Sequence, residues 1–152
     1  MAVFEGEARI QIDAPPEKVW ALVSDITRMG EWSPENLGGE WQEGSSEPSV
    51  GAKFKAGNKQ GRMKWSTTCE VTESEPGKVF AFSTKKKKGD DWTRWRYSFE
   101  PAAGGTAVTE SYEAVSYPLY LRVIAPPKRR SRVLEEGMSQ TLQKLKEKAE
   151  SP

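Results

Sequence analysis

The feature that most constrains the fold is a change in the spacing of apolar residues towards the end of the chain. Intervals of four, four, three and four residues separate Leu134, Met138, Leu142, Leu145 and Ala149, with charged and polar residues between them. This spacing puts the five side chains on one face of an amphipathic helix of about 20 residues. Such a helix must lay its apolar face on another layer, and the rest of the sequence offers only a β-sheet.

The residues before this helix follow a period of two, which is typical of half-buried strands. The first strand is predicted where polar residues alternate with Phe4, Gly6, Ala8, Ile10 and Ile12. Six more strands are predicted between turn residues, near Leu37–Glu43, Ala52–Asn58, Arg62–Glu73, Lys78–Thr84, Trp92–Glu100 and Thr106–Val115. Because the connections between them are short, we expect the strands to form an antiparallel meander.

Two short helices are predicted between the first and second strands. The stretch Ala14-Pro15-Pro16-Glu17 ends the first strand, and proline is favoured in the first turn of a helix. An apolar stripe follows within one and a half turns, at Val19, Trp20 and Val23. Asp25 can cap a second short helix that runs through Met29 and is broken at Gly30.

The composition excludes several kinds of chemistry. The sequence has no His, so catalytic triads, imidazole acid-base catalysis and His-ligated zinc are all excluded. A single cysteine, Cys69, permits neither an internal disulfide nor a thiolate cluster, and without a His partner we expect it to be an inert buried thiol. The motifs of dinucleotide, P-loop, hydrolase-elbow and calcium sites do not occur. We therefore expect no metal and no cofactor.

Length and charge bound the organisation of the chain. Its 152 residues suit one domain over 1–152, and a net charge of +1 weighs against a nucleic-acid partner. The run Lys85–Lys88 is interpreted as a solvated hairpin end. No window approaches the ~18 apolar residues of a membrane span, and the first residues do not resemble a secretion signal. We expect a cytoplasmic protein, either a monomer or a dimer, with no membrane span.

Four stretches of the sequence resemble a known superfamily. They are Ile10–Trp20, which contains A-P-P-E-x-V-W, and Asp25–Pro34, Gly104–Thr106 and Gly137–Lys146. Together with the predicted order of elements they resemble the SRPBCC superfamily of START and birch-pollen-allergen-like proteins, and within it the bacterial polyketide cyclase/dehydrase-like branch. The resemblance implies an α+β helix-grip fold, a seven-stranded antiparallel sheet wrapped around the long C-terminal helix with two short helices after strand 1. It also implies a cavity between sheet and helix that holds a small apolar molecule.

The alternation of side chains along each strand predicts which residues line that cavity. The bulky apolar members of a strand mark its inward face. The expected lining is Trp65, Thr67, Cys69, Phe82, Trp95, Tyr97, Glu110 and Tyr112 from the sheet, with Leu134, Met138 and Leu142 from the helix. A wall rich in aromatic rings is typical of a small-molecule pocket, although the same rings also suit an ordinary filled core.

Glu110 breaks the apolar pattern of the seventh strand. It shares a face with Val108 and Tyr112, so its carboxyl group should lie in the interior, where desolvation raises its pKa. One interpretation is structural: the strand twists or bulges there, or the carboxyl group makes a fixed hydrogen bond to a Tyr or Thr hydroxyl. The other is functional: Glu110 orients a ligand or acts as a general acid or base.

Three functions stay open at this point. The first is binding of a small hydrophobic molecule, lipid-like or polycyclic. The second is a cyclase, aromatase or dehydratase that uses the same cavity without metal or redox cofactor, with Glu110, Tyr97 or Tyr112 moving protons. The third is a protein-interaction module similar to the co-chaperone domains of the superfamily. Since only Glu110 stands out as a titratable group for catalysis, the sequence favours binding.

One apolar passage has several interpretations. Leu119–Ala125 is followed by a basic cluster at Lys128, Arg129, Arg130 and Arg132. The passage could be a portal lid on the pocket, a weak peripheral contact with an anionic membrane, or a surface for a protein partner.

Overall fold

The computed structural model describes residues 2–152 and contains one seven-stranded antiparallel sheet. The strands are β1 (Phe4–Ile12), β2 (Asn36–Gln42), β3 (Lys53–Gln60), β4 (Met63–Glu75), β5 (Val79–Lys85), β6 (Asp91–Ala102) and β7 (Gly105–Ala114). The helices are α1 (Pro16–Ser24), a 3-10 helix (Ile26–Glu31), α2 (Leu119–Ile124) and α3 (Pro127–Glu150). The strand order is β1-β7-β6-β5-β4-β3-β2, so β2 to β7 form a meander and β1 pairs with β7.

The sheet curves around α3, which packs against β1 and α1. This arrangement confirms the predicted helix-grip fold and its α+β class. The ends of β2 to β7 differ from the predicted strands by one or two residues, because turn residues mark those ends well. Within residues 2–152 no helix is both long enough and apolar enough to cross a bilayer.

The long helix α3 has 24 residues and begins earlier than its apolar stripe. Its buried side chains are Met138, Thr141, Leu142, Leu145 and Ala149, which run from its middle to its C-terminal end. The basic residues Lys128–Arg132 belong to its first two turns. Those turns carry no buried side chain, so apolar periodicity could not predict them.

The two short helices lie where they were predicted, with one correction. In α1 the indole Nε1 of Trp20 donates a hydrogen bond of 2.8 Å to the carbonyl oxygen of Val79. The second helix is a 3-10 helix that continues through Gly30 to Glu31, so the predicted break at Gly30 is wrong. Asp25 caps it as expected, because its side chain accepts from the backbone N–H of Thr27 at 3.2 Å.

The passage expected as a lid, membrane contact or partner surface is helical. It forms α2, six residues long, between Pro118 and Ala125. The hydroxyl of Tyr117 donates to the carbonyl oxygen of Ala125 at 2.7 Å, which joins the two ends of this helix. Its apolar residues Leu119, Tyr120, Val123 and Ile124 are exposed.

Candidate functional site

A cavity of about 500 Å³ lies between the concave face of the sheet and α3. Small-molecule sites in proteins have volumes of ~300–1,000 Å³, so this space suits a small organic ligand. The sheet contributes Ala56, Thr67, Cys69, Phe82, Thr84, Trp95, Tyr97 and Glu110, and α3 contributes Leu134, Gly137, Met138 and Thr141. Apolar and aromatic side chains supply the larger share of the wall, and the rest is polar, including Lys59, Glu136 and Gln140.

Eight of the eleven predicted lining residues come together around this cavity. They are Thr67, Cys69, Phe82, Trp95, Tyr97, Glu110, Leu134 and Met138. Since β4 to β7 are neighbouring strands of one sheet, the alternation within each strand was sufficient to place the six sheet residues on a common face, and helical spacing placed Leu134 and Met138.

Three predicted residues lie outside the cavity wall. Leu142 is buried one turn beyond Met138 and packs in the core. Tyr112 is buried too, but its ring packs 5.4 Å from that of Trp95 and its hydroxyl donates to Ser131 Oγ at 2.9 Å. Trp65 is half-buried near the β3–β4 hairpin. Alternation selects the correct face of the sheet, but it does not say how far along that face a cavity extends.

Glu110 and Tyr97 form the buried polar pair of the cavity. They lie directly opposite each other in the β6–β7 register. The Tyr97 hydroxyl donates a hydrogen bond of 2.7 Å to Glu110 Oε2. The other carboxyl oxygen, Oε1, is buried and has no hydrogen-bond partner in the part of the chain that the structure describes.

Burial determines the charge of this pair. Desolvation raises the pKa of Glu110 to about 8, although the hydrogen bond from Tyr97 partly opposes this shift. Desolvation is the larger cause and the nearby carboxyl group of Glu110 the smaller one; together they raise the pKa of the Tyr97 hydroxyl well above its ordinary value. Tyr97 is therefore protonated at pH 7 and Glu110 is mostly so, and a protonated carboxyl group can donate one hydrogen bond as well as accept others.

The geometry decides between the structural explanations for Glu110. Its pairing with both β1 and β6 is regular, so neither a bulge nor a register shift explains its position. The expected hydrogen bond to a tyrosine hydroxyl is present. That bond satisfies only one of the two carboxyl oxygens, which leaves the other available for the functional interpretation.

Cys69 also lines the cavity, as an unreactive thiol. Its Sγ lies 3.7 Å from Thr67 Oγ1, and the residue is buried. Burial raises the pKa of the thiol to about 12. Because the thiolate is the nucleophilic form, Cys69 offers no nucleophile at neutral pH.

The polar rim of the cavity was not predicted from the sequence. Glu35, Asn58 and Gln60 line it from the loop before β2 and from the end of β3. Arg130, in the first turn of α3, donates to both carboxyl oxygens of Glu35, at 2.7 and 2.9 Å, and to Gln60 Oε1 at 2.6 Å. Arg130 therefore joins the long helix to two other segments at the rim.

Another part of the wall that sequence reasoning missed comes from the short helices. Val23, Met29, Trp32 and Pro34 line the cavity from α1, the 3-10 helix and the loop that follows it. Trp32 is buried, and the guanidinium of Arg28 lies 5.2 Å from its ring centroid. The available signal was the Trp-Ser-Pro stretch after the second short helix.

Comparisons with known proteins agree with this fold. The family model described as "Polyketide cyclase / dehydrase and lipid transport" matches residues 3–150. A polyketide-cyclase-like protein from Corynebacterium glutamicum, solved by NMR, is 36% identical, with a TM-score of 0.64 over 93% of this chain and 88% of that one. No curated protein matches the sequence significantly.

More distant structures share the fold. A Thermus thermophilus protein, TTHA0849, superposes with a TM-score of 0.75 at 19% identity, over 96% of this chain and 97% of its own. The di-domain ARO/CYC protein StfQ, from the steffimycin biosynthetic pathway, gives a TM-score of 0.77 at 16% identity. That alignment covers 98% of this chain and 51% of StfQ, so the chain corresponds to about half of that protein.

Proposed function

This chain belongs to the polyketide cyclase / dehydrase and lipid transport family, and we propose that it binds one small hydrophobic molecule in the cavity between its sheet and α3. The observation that carries this proposal is the cavity of about 500 Å³, whose mainly apolar wall contains one neutral carboxyl group. Such a combination suits a ligand with a large apolar body and a small polar end.

The wall indicates the chemical class of the ligand. Phe82 and Trp95 offer ring faces and edges, which favour a polycyclic or otherwise unsaturated body. Near Glu110 a carbonyl oxygen of the ligand would accept the carboxyl proton, and a hydroxyl would donate to the unpartnered Oε1. A permanently charged ligand end is disfavoured beside Glu110, because that carboxyl group is buried and mostly uncharged at pH 7 and offers no opposite charge to replace lost hydration.

The test uses the uncharged dye Nile red and a pair of matched variants. Thr67 lines the cavity from β4, whereas its neighbour Thr68 is exposed on the opposite face of the same strand. Thr67→Phe fills part of the cavity, and Thr68→Phe adds the same ring to the outer surface. We expect the wild-type chain and Thr68→Phe to bind the dye with one site, and Thr67→Phe to bind at least ~10-fold more weakly.

Native mass spectrometry of gently purified protein complements the dye. A stoichiometric small-molecule adduct that is present in the wild-type chain and lost in Thr67→Phe would support binding in this cavity and identify the ligand. No adduct, together with equal dye binding by the two variants, would contradict the proposal.

A second function, catalysis of a cyclisation or dehydration, is favoured by the state of Glu110. A buried carboxyl group with a pKa of about 8 holds a proton at pH 7 and can give it to a substrate carbonyl oxygen. Tyr97 would position that group through its 2.7 Å hydrogen bond. Tyr112 has no part in this proposal, because its hydroxyl is bonded to Ser131 and lies outside the cavity wall.

Glu110→Gln separates the two functions. The variant keeps the size of the side chain and an acceptor for Tyr97, but it carries no transferable proton. If the protein is an enzyme, Glu110→Gln abolishes turnover of a synthetic poly-β-keto thioester while Nile red still binds. If the wild-type chain binds the thioester and returns it unchanged, the enzymatic proposal is wrong and the binding proposal stands.

A further inference from the structure

The helix α2 presents an apolar surface to solvent. Leu119, Tyr120, Val123 and Ile124 are between 64% and 82% exposed. An α-helix turns by about 100° per residue, so these four side chains fall within an arc of about 140°. Leu121, which lies outside that arc, is half-buried against the body of the protein. The four apolar residues therefore form one exposed face of α2. The hydrogen bond from the Tyr117 hydroxyl to the Ala125 carbonyl oxygen joins the two ends of this helix.

Cations flank this face along the sequence. The stretch 117–132 contains five Lys or Arg residues and no Asp or Glu. Arg130 is held by Glu35, but Arg122, Lys128, Arg129 and Arg132 are exposed, and no ion pair is found for these four within the described residues 2–152. The combination of exposed apolar side chains and unpaired cations on one segment is typical of helices that lie in the interface of an anionic bilayer.

We propose that α2 and the first turns of α3 dock on the surface of an anionic lipid bilayer. The apolar face of α2 would enter the boundary between headgroups and acyl chains, and the four exposed cations would meet lipid phosphates. Charge argues against a second copy of this chain as the occupant. In a twofold dimer with α2 at the axis, each basic segment would face the identical basic segment of its partner, and like charges would repel.

The proposed docking surface is connected to the rim of the cavity. Arg130 connects the start of α3 to Glu35 and Gln60, which both line the cavity rim. The α3 part of the docking surface therefore adjoins the cavity rim, so docking would bring that part of the rim close to the lipid. The proposal does not depend on a bound ligand, and its test leaves the cavity unchanged.

The experiment is co-sedimentation with vesicles of phosphatidylcholine that contain about one third phosphatidylglycerol, and with vesicles of phosphatidylcholine alone. We expect the wild-type chain to bind the anionic vesicles at low salt and to be released at about 0.5 M salt. Val123→Ser/Ile124→Ser should weaken binding about tenfold or more, because each removes a large side chain from the lipid boundary.

A matched pair of charge variants tests whether the site is local. Lys128→Gln/Arg129→Gln changes the proposed surface, and Lys87→Gln/Lys88→Gln changes the exposed β5–β6 hairpin. Both lower the net charge from +1 to −1. We expect the first pair to weaken vesicle binding about tenfold or more and the second to leave it within about twofold of wild type.

Three results would overturn the proposal. The first is no binding of the wild-type chain to anionic vesicles at low salt, which is also the result expected if the face serves a protein partner. The second is an equal loss of binding in the two charge variants. The third is a wild-type dimer in light scattering that Val123→Ser/Ile124→Ser converts to a monomer, since the face would then bind a second copy.

Discussion

The Tyr97 hydroxyl donates a 2.7 Å hydrogen bond to the carboxyl group of Glu110, and both residues are buried on facing positions of β6 and β7. The fold thus holds a titratable acid in the wall of an otherwise mostly apolar cavity. Burying an acid that keeps one unsatisfied oxygen destabilises the fold, and the same unsatisfied oxygen gives a ligand something to bind. Both consequences can be measured.

Stability should depend on pH through Glu110. The pKa of Glu110 is raised from 4.5 to about 8 by folding, so between these values the folded chain binds a proton that the unfolded chain does not. The contribution of Glu110 to the free energy of unfolding should therefore be most favourable below about pH 4.5, fall as the pH rises, and level off above about pH 8. The predicted loss is on the order of 5 kcal/mol, measured by urea unfolding across this range.

Glu110→Gln should remove this pH dependence, because the amide does not titrate. Glu113→Gln is the matched control, since Glu113 lies on the same strand and is exposed. We expect Glu113→Gln to keep the wild-type profile and Glu110→Gln to be more stable than wild type at pH 9. A wild-type profile in Glu110→Gln would show that Glu110 is already ionised at pH 7.

Tyr97→Phe should shift the titration of Glu110 upwards. The hydrogen bond from Tyr97 lowers the pKa of Glu110, so its loss raises that pKa further above 8. It also leaves the second buried carboxyl oxygen without a partner, which costs about 1–3 kcal/mol of stability. The pKa can be followed by NMR of the side-chain carboxyl carbon. Tyr120→Phe on the exposed face of α2 should change neither quantity.

The sequence was sufficient for the parts of the site that depend on local periodicity. Glu110 could be placed in the interior because Val108 and Tyr112 fix the inward face of β7. The same reasoning put Thr67, Cys69 and Trp95 on the cavity wall. Sequence reasoning also selected Trp65, Tyr112 and Leu142, which lie outside the wall, because the end of a cavity is set by how α3 crosses the sheet, and no single strand carries that information.

Long-range polar contacts could not be predicted from the sequence, for a different reason. Arg130 and Glu35 are 95 residues apart, and an ion pair leaves no periodic signal in either segment. The start of α3 was missed in the same way, since its first turns carry cations and no buried side chain. The 3-10 geometry of Ile26–Glu31 could not be predicted either, because a cap and a short apolar stretch suit both an α-helix and a 3-10 helix.

Cys69 should react slowly with disulfide reagents in the folded chain. Burial raises the pKa of its thiol to about 12, so the reactive thiolate at pH 8 is on the order of a thousandfold scarcer than in the unfolded chain. The control is Ser66→Cys in a Cys69→Ser background, which places a thiol at an exposed position of the same strand. Because Cys69 lines the cavity, Nile red should slow its modification further and leave the control unchanged. Equal rates at the two positions would contradict the buried placement of Cys69.

The ion pair of Arg130 and Glu35 should control exchange of a ligand through the cavity rim. Both side chains are only 21% exposed and they share two hydrogen bonds, so a double-mutant cycle with Arg130→Gln and Glu35→Gln should give a coupling free energy of about 1 kcal/mol. Each variant should also release Nile red several-fold faster, because the tie between α3 and the loop before β2 is lost.

The matched control for this prediction is the exposed ion pair of Arg96 and Glu73, whose side chains are 50% and 47% exposed and do not line the cavity. Its cycle should give a coupling free energy near zero, because water screens an exposed pair. Arg96→Gln should leave dye release unchanged. Release of the dye at the same rate by Arg130→Gln and Arg96→Gln would contradict this prediction. The Arg130 contacts would then stabilise the rim without limiting passage through it, and the ligand would exchange through another opening between the sheet and α3.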